Sequence, residues 1–135
     1  MTTLILGASR GVGKETAILL RKKLKEKIIV ASSSIKNLNN VIEFDNNFIK
    51  KEVNLNNIKS IDTFLNYIKD NNIKIKQIVI TSGINQKENC DFKDFVNIMH
   101  TNFIGIVYFI DGISSIMKEY GNCKIICLSS VVSIR

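Results

Sequence analysis

The chain has 135 residues, of which 45% are hydrophobic and 23% are charged, and its formal net charge is +7. This length predicts one domain over residues 1–135, and the composition excludes wholesale disorder, collagen and a coiled-coil rod. No uncharged apolar run approaches the roughly 20 residues of a membrane helix, and the N-terminus lacks the pattern of a secretion signal, so we expect a cytoplasmic protein.

Short apolar runs alternate with longer amphipathic segments along the sequence. The apolar runs predict strands at residues 3–6, 27–31, 50–55, 77–81 and 124–128. Helical spacing of apolar residues predicts helices at residues 12–27, 58–68 and 92–120. Residues 34–41 fit a short helix capped by Ser34, whereas the Asn-rich residues 37–47 favour a loop. Nearly continuous apolar strands that alternate with helices predict a parallel sheet covered on both faces.

The loops that follow the strands are the candidate functional positions. In a parallel sheet with right-handed crossovers these loops lie along one edge, and ligands bind there. The loops concerned are residues 7–13, 32–36, 54–55, 81–84 and 129–130.

Three of the seven glycines fall in the first of these loops, with the spacing G-x-x-x-G-x-G. Gly7 allows a tight turn out of the strand, Gly11 lets the backbone approach a phosphate, and Gly13 allows close packing of helix and strand. The N-terminus of the next helix offers free N–H groups to a pyrophosphate. The loop therefore predicts a dinucleotide site, and a tight turn without a ligand is the alternative.

Further motifs follow the glycine loop in order along the chain. They are Asn54-Leu55, Ile80-Thr81-Ser82-Gly83, Asn102-Phe103-Ile104-Gly105 and Leu128-Ser129-Ser130-Val131-Val132. With these motifs the sequence resembles the short-chain dehydrogenase/reductase family, in its compact G-x-x-x-G-x-G branch. The resemblance implies a Rossmann-type α/β fold with strand order 3-2-1-4-5. It also implies an NAD(P)-dependent oxidoreductase that transfers a hydride between the nicotinamide and a carbonyl or alcohol.

Two motifs depart from the family pattern. Asn54 stands where the family usually has Asp beside the adenine, and its amide oxygen can still accept the adenine amino proton. Residues 80–83 stand where the family has Asn-Asn-Ala-Gly, and only Gly83 is unchanged.

The loop after the second strand bears on the choice of cofactor. An acid at that strand end usually holds the ribose 2′-hydroxyl, and a base holds a 2′-phosphate. Residues 31–36 contain no acid, and Arg10 lies where NADP-using relatives often carry a base, so we predict NADP(H) over NAD(H). A solvated loop side chain is the alternative for Arg10. The predicted cofactor-binding residues are Gly7, Ser9, Arg10, Gly11, Val12, Gly13, Ser32, Ser33, Lys36, Asn54, Leu55, Thr81, Ser82 and Gly83.

Two of the family's catalytic roles have counterparts in this sequence. The resemblance assigns Ser130 to orienting the substrate oxygen and Asn102 to anchoring a water in the proton relay. The alternatives are a polar residue at a strand end and a helix residue that bonds backbone. The family's Tyr-x-x-x-Lys pair is expected after Ser130, past Arg135. Tyr120 and Lys124 have that spacing but not the shared helix face, since Gly121-Asn122 breaks the helix between them.

We therefore expect the cofactor-binding portion of such an enzyme, truncated after strand five, which binds nucleotide and does not turn over alone. A non-catalytic dinucleotide-binding or regulatory module is the alternative. A nucleic-acid-binding domain ranks last, because it rests only on the +7 charge, which coding bias also explains. The expected partner is a small carbonyl or alcohol substrate, with no nucleic acid and no membrane.

The predicted end of the sheet has consequences for stability. Strand five becomes an open apolar edge, and residues 103–117 keep an uncovered apolar face, so we expect marginal stability, self-association or both, and a homo-oligomer. Cys90, Cys123 and Cys127 are expected to be buried free thiols without a metal site.

Overall fold

The computed structural model describes residues 1–41, 46–85 and 88–129. The predicted catalytic Ser130 lies outside this part of the chain. The described residues form one parallel sheet with the strand order β3-β2-β1-β4-β5, which confirms the predicted fold. Its strands are β1 (Thr2–Leu6), β2 (Ile28–Ser32), β3 (Phe48–Glu52), β4 (Ile75–Ile80) and β5 (Lys124–Cys127).

Helices connect the strands and cover both faces of the sheet. They are α1 (Gly11–Lys23), α2 (Ile35–Val41), α3 (Ile58–Asp70), α4 (Phe92–Met99) and α5 (Gly105–Met117), with a π-helical segment His100–Ile104 between α4 and α5 and a 3-10 turn at Lys118–Tyr120. Ser34 caps α2 as predicted, because its Oγ accepts the Asn37 N–H at 3.3 Å.

Two apolar clusters lie on opposite faces of the sheet, because successive strand side chains point to opposite sides. Leu4 and Leu6 of β1 belong to the cluster with α3 and α5. Ile5, between them, belongs to the smaller cluster with Ala17 of α1 and Leu38 of α2. Both faces of the central strands are thus buried, as their continuous apolar sequences predict.

The contact between α3 and α5 combines close packing with a polar bridge. The Phe64 and Phe109 rings lie 6.2 Å apart between centroids. The Tyr108 hydroxyl donates to Asp62 Oδ1 at 2.8 Å. This hydrogen bond to a carboxylate is the main reason that the pKa of Tyr108 is raised above its ordinary value of 10.0.

Several predicted boundaries differ from the observed ones, most of all those of α1 and β3. Helix α1 ends at Lys23 rather than residue 27, because Leu24 is already extended and Arg21 Nη1 donates to its carbonyl at 3.0 Å. Strand β3 begins at Phe48 and ends at Glu52, earlier than the predicted 50–55. Its two lysines make the strand hard to recognise from the sequence, because they interrupt the apolar pattern. In the structure the Lys51 ammonium lies over the Tyr67 ring, 3.4 Å from its centroid.

The stretch Phe92–Tyr120 has the 29 residues and the apolar composition that would suffice to span a membrane. Its second half instead packs on the sheet, where Phe109, Ile113 and Met117 are buried. Its first half has no buried residue. The burial of α5 is that of a core helix, and α4 carries exposed apolar side chains.

The three cysteines are free, but the prediction that they are buried is wrong. Cys90 and Cys123 are partly buried and Cys127 is exposed. Cys127 lies on β5, which is an edge strand of the described sheet. Among the described residues, no group of three or more His, Cys, Asp or Glu could hold a metal ion.

Candidate nucleotide-binding site

A cavity of about 960 Å³ lies at the carboxyl edge of the sheet. The loops after β1, β2, β3 and β4 contribute to its lining, as does Leu128 at the end of β5. This is the edge at which parallel α/β sheets bind ligands. The cavity therefore lies where the sequence predicts a site.

The glycine loop can adopt its conformation only because Gly7 and Gly13 have no side chain. Gly7 has a φ of +96°, and a Cβ there would lie 2.7 Å from the Ser82 main-chain nitrogen. At Gly13 a Cβ would come closer than 3.0 Å to the Gly7 carbonyl oxygen. Side chains at these two positions would push α1 away from β1 and β4. Gly7 and Gly13 thus have the turning and packing roles that their spacing predicts.

The N-terminus of α1 opens onto the cavity. The N-cap residue Arg10 has a φ of −159° and makes no side-chain capping bond. The first N–H groups of a helix have no partner within it, so those at residues 11–13 remain available to a ligand. A Cβ on Gly11 would meet nothing within 4 Å, which leaves open space above the loop. No acid occupies the first turn. Together these features suit an anionic ligand.

Thr81 ties the loop after β4 to the glycine loop. Its Oγ1 lies 3.1 Å from the Leu6 carbonyl oxygen and 3.2 Å from that of Gly7, and it donates to them. Its main-chain N–H also donates to Leu6 O at 2.8 Å. The hydroxyl that replaces the family's Asn side chain therefore holds the backbone of the loop.

The end of β2 supplies hydroxyl groups and no acid. The Ser32 Oγ accepts the Ser34 N–H at 3.3 Å, and Ser32 is buried. Ser33 is exposed and lines the cavity. Lys36 is not among the lining residues. Glu52, which pairs with Ser32 in the sheet register, accepts the Ile35 N–H at 3.4 Å through Oε2.

The end of β3 places Asn54 and Leu55 on the cavity wall. Leu55 is buried. Asn54 Oδ1 accepts the Asn56 N–H at 2.9 Å, and the Asn54 N–H donates to Ser60 Oγ at 2.9 Å. The oxygen assigned above to the adenine amino group thus already has a backbone partner.

Asn102 lies in the π-helical segment and binds the loop after β4. Its Oδ1 accepts the Ile84 N–H and its Nδ2 donates to the Ile84 carbonyl, both at 2.8 Å. The side chain therefore pairs with the backbone of one residue, as in the alternative that the sequence left open, although that residue is distant in the chain.

Most of the predicted cofactor-binding residues line the cavity. These residues are Gly7, Ser9, Arg10, Gly11, Val12, Gly13, Ser32, Ser33, Asn54, Leu55, Thr81, Ser82 and Gly83. One further lining residue, Ile84, lies in the predicted loop 81–84 but was not assigned to the cofactor. The remaining lining residues were not predicted, and they are Asn37, Val53, Asn56, Asn85, Thr101 and Leu128. Most of the latter adjoin a predicted loop and could have been found by extending it. Thr101 lies in the middle of a long helical stretch, and its one signal is that it directly precedes Asn102.

The comparison with known families now identifies the class of protein. The chain matches the model of the short chain dehydrogenases over residues 1–135. It therefore belongs to this family of oxidoreductases, which confirms the resemblance. No curated protein matches the chain by sequence.

Solved structures of low sequence identity share the fold. Serine dehydrogenase from Escherichia coli matches with a TM-score of 0.86 and 20% identity, over 100% of this chain and 64% of that chain. A short-chain dehydrogenase from Burkholderia cenocepacia, in complex with NADP, gives 0.82 and 18%, over 98% and 54%. ElxO with NADP bound gives 0.84 and 18%, over 99% and 57%. The chain thus spans 54–64% of the length of these structures.

Proposed function

We propose that the cavity binds NADP(H), within an oxidoreductase that transfers a hydride between this cofactor and a carbonyl or alcohol group of a small molecule. The observation that carries the proposal is the cavity into which the uncapped N-terminus of α1 opens beside the glycine loop. When bound, NADPH supplies the hydride, and the residues of the chain bind and orient it.

The pyrophosphate belongs at the first turn of α1. The first N–H groups of a helix have no partner within it, and the positive end of the helix dipole adds to their attraction for an anion. The ribose and base of the adenylate then extend toward β2 and β3. The nicotinamide half extends toward β4 and β5, across the point where the strand order reverses.

One cation and one hydroxyl group that line the cavity support a preference for NADP(H). Arg10 is exposed and lines the cavity, and Ser33 lines it at the strand end. A guanidinium can pair with a 2′-phosphate through two parallel N–H groups. Two of the similar structures contain NADP. We therefore attribute the preference for NADP(H) to Arg10.

Glu52 opposes this preference from the neighbouring strand. Its carboxylate lies at the start of α2, beside the end of β2. A carboxylate there repels a phosphate, although solvent screens the repulsion because Glu52 is exposed. The balance between Arg10 and Glu52 sets the margin by which NADPH exceeds NADH.

Titration of nucleotide fluorescence tests the proposal. We expect NADPH to bind at least about tenfold more tightly than NADH, a difference of about 1.4 kcal/mol. Arg10→Ala should remove most of that difference by weakening NADPH alone. Glu52→Gln should strengthen NADPH binding by a few-fold and leave NADH unchanged.

Lys22→Ala is the matched control, since it removes the same charge at the far end of α1, where Lys22 is exposed. It should leave both affinities unchanged. Equal affinities, or tighter binding of NADH, would contradict the cofactor preference. Absence of binding for both nucleotides would contradict the function itself.

The proposal gives Asn102 and Ser130 different roles. Asn102 holds the backbone of Ile84 on the nicotinamide side of the cavity. Ser130 orients the substrate oxygen, as the family resemblance implies. We also propose that the chain acts as a homo-oligomer.

A further inference from the structure

The amino edge of the sheet, opposite the cavity, carries most of the net positive charge. Parallel strands all begin at this edge, where the helices that lead into them also end. Three described segments lie there, residues 21–27, 69–74 and 118–124, and we name them the basic edge. Glu43 and Asp45 lie outside the described residues. The basic edge holds nine of the 19 Lys and Arg residues of the chain but only three of its 12 Asp and Glu residues, so the rest of the sequence is nearly balanced in charge.

Contacts between neighbouring segments make the basic edge one continuous surface. The N-terminal ammonium of Met1 lies 3.9 Å from Glu26 Oε1 in the first segment. The Thr2 main-chain N–H donates to the Lys74 carbonyl oxygen in the second segment at 2.8 Å. The Lys74 ammonium lies over the Tyr120 ring in the third segment, 5.5 Å from its centroid. A single extended ligand can therefore contact all three segments.

Three lysines mark the length of the basic edge. Lys27 directly precedes β2, Lys74 directly precedes β4, and Lys124 is the first residue of β5. Each of the three is exposed. In the order β3-β2-β1-β4-β5, the starts of β2 and β5 are separated by three strand spacings, which is about 14 Å. A DNA duplex of that length carries about eight phosphates, so a duplex laid along the edge brings several phosphates to these ammonium groups.

Neither coding bias nor helix dipoles explain this placement of charge. Coding bias raises the number of lysines in a chain, but it does not select one edge of the fold. The negative end of the α1 dipole accounts for cations in the last turn of that helix, whereas Lys25 and Lys27 lie beyond it and Lys124 opens a strand. Between described residues, none of these three lysines forms an ion pair with Asp or Glu. Their charge is therefore available to an external anion.

The side chains of the basic edge favour a duplex over other polyanions. Binding to a membrane also uses apolar side chains that enter the lipid, and binding to a single strand uses exposed aromatic rings that stack on bases. In the three segments every aliphatic and aromatic side chain is at least partly buried, although Met1 beside them is exposed. Asn72 and Asn122 are exposed on the turns before β4 and β5, and they offer side-chain N–H groups of the kind that contact phosphates.

We propose that the basic edge docks the phosphate backbone of a nucleic-acid duplex without reading its base sequence. The expectation of no nucleic-acid partner considered only the total charge, whereas this proposal rests on where the structure places that charge. Because the basic edge and the cavity lie at opposite edges of the sheet, the duplex and NADPH bind independently.

Fluorescence anisotropy with a labelled DNA duplex of about 20 base pairs tests the proposal, and at about 50 mM salt we expect a Kd of about 10 μM or below. The logarithm of the association constant should fall with the logarithm of the salt concentration with a slope of about −3.6, the value for about four neutralised phosphates. A second duplex of unrelated sequence should bind equally tightly. A slope near zero, or no binding at the lower salt concentration, would overturn the proposal.

Two variants with the same net charge locate the surface. Lys25→Gln with Lys27→Gln should weaken duplex binding by at least about tenfold at about 100 mM salt and reduce the slope by about 1.8. The control is Lys59→Gln with Lys93→Gln, in the first turns of α3 and α4 at the carboxyl edge. All four lysines are exposed, so both variants should fold, and the control should bind the duplex as the unaltered chain does. Equal weakening in both variants would show that only the total charge matters and would contradict the proposal.

Competition experiments separate the basic edge from the cavity and the duplex from other anions. Saturating NADPH should leave the Kd for the duplex unchanged, and displacement of the duplex would place it in the cavity and overturn the proposal. Tighter binding of a single strand of the same length would also overturn it. Binding to vesicles that contain phosphatidylserine, without binding to the duplex, would assign the basic edge to a membrane instead. The lysine variants test the basic edge whether or not NADPH binds.

Discussion

At the scale of single residues, Thr81 joins the two loops that meet over β1. Its hydroxyl contacts two carbonyl oxygens of the chain that leads into the glycine loop. A Cβ on Gly13 would come closer than 3.0 Å to the same hydroxyl. Thr81 therefore sets the separation between β4 and the start of α1, and through it the position of the N–H groups proposed to bind the pyrophosphate.

Replacing Thr81 by Val tests this positioning role. Valine keeps the shape but removes the donor, so the Gly7 carbonyl loses this partner. We expect a loss of about 1 kcal/mol in the free energy of unfolding. The Kd for NADPH should rise about threefold to tenfold, because the glycine loop is no longer fixed.

Thr81→Ser is the matched variant, since it restores the hydroxyl. It should return the affinity for NADPH close to that of the unaltered chain. Urea denaturation and nucleotide titration measure the two quantities separately. If Thr81→Val binds NADPH as tightly as the unaltered chain, the hydroxyl does not position the loop.

Other residue contacts show where sequence patterns stop being informative. The glycine spacing predicted the roles of Gly7 and Gly13, because turn geometry and close packing exclude side chains there. The paired hydrogen bonds of Asn102 to Ile84 were not predictable, since they join residues 18 apart through a loop. The direction of the Asn54 amide likewise depends on a turn that only the structure shows.

At the scale of helices and strands, apolar patterning predicted the type of each element and its order along the chain, but not the residues at which the elements begin and end. β1, β2 and residues 78–80 of β4 are buried on both faces, so their sequences are nearly continuous apolar runs. β3 is an edge strand with two lysines, and the buried Val53 and Leu55 beyond its end resemble strand residues. The π-helical segment His100–Ile104 was not predicted, because its composition is that of the surrounding α-helix.

The start of α5 packs against the backbone of Leu55, which lines the cavity. A Cβ on Gly105 would come closer than 3.0 Å to the Leu55 carbonyl carbon and oxygen, which are backbone atoms that cannot rotate away. Gly112, two turns later, would meet only the end of the Leu65 side chain. The two glycines therefore offer a matched comparison within one helix.

We predict that Gly105→Ala lowers the free energy of unfolding by about 2–3 kcal/mol, because the backbone must shift to admit the methyl group. It should also weaken NADPH binding, since Leu55 lines the cavity. Gly112→Ala should be much milder, because Leu65 can change its rotamer and alanine favours the helix by about 1 kcal/mol over glycine. Urea denaturation of both variants measures the difference. Equal destabilisation would show that the contact with Leu55 does not limit the position of α5.

At the scale of the whole molecule, the densest cluster of positive charge is separated from the site. Arg21, Lys22 and Lys23 lie in the last turn of α1. Because α1 begins at the carboxyl edge of the sheet, this turn lies at the opposite edge, where cations complement the negative end of the helix dipole. The densest part of the basic charge thus has a local structural role at a distance from the cavity.

An apolar stripe runs along the first half of the long helical stretch. Its members, three or four residues apart, are all exposed: Phe92, Phe95, Met99, Phe103 and Val107. Phe92 is 79% exposed, and its ring stacks on that of Phe95, with the centroids 6.3 Å apart. Contiguous apolar surface of this kind is uncommon on a monomer. We name these five side chains the α4 stripe.

We predict that the 135-residue chain self-associates through the α4 stripe. The double variant Phe92→Glu with Phe95→Glu should shift the chain to a monomer in sedimentation velocity. Acidic residues suit the first turn of a helix, so the variant should keep α4 folded. Leu19→Glu is the control, since Leu19 is exposed on α1 and lies outside the stripe, and it should leave association unchanged. A sharp monomer peak and a cooperative melt for the unaltered chain at about 100 μM would contradict this prediction, because a stripe that drives association with a Kd of about 10 μM, or about −7 kcal/mol, would leave few monomers at that concentration.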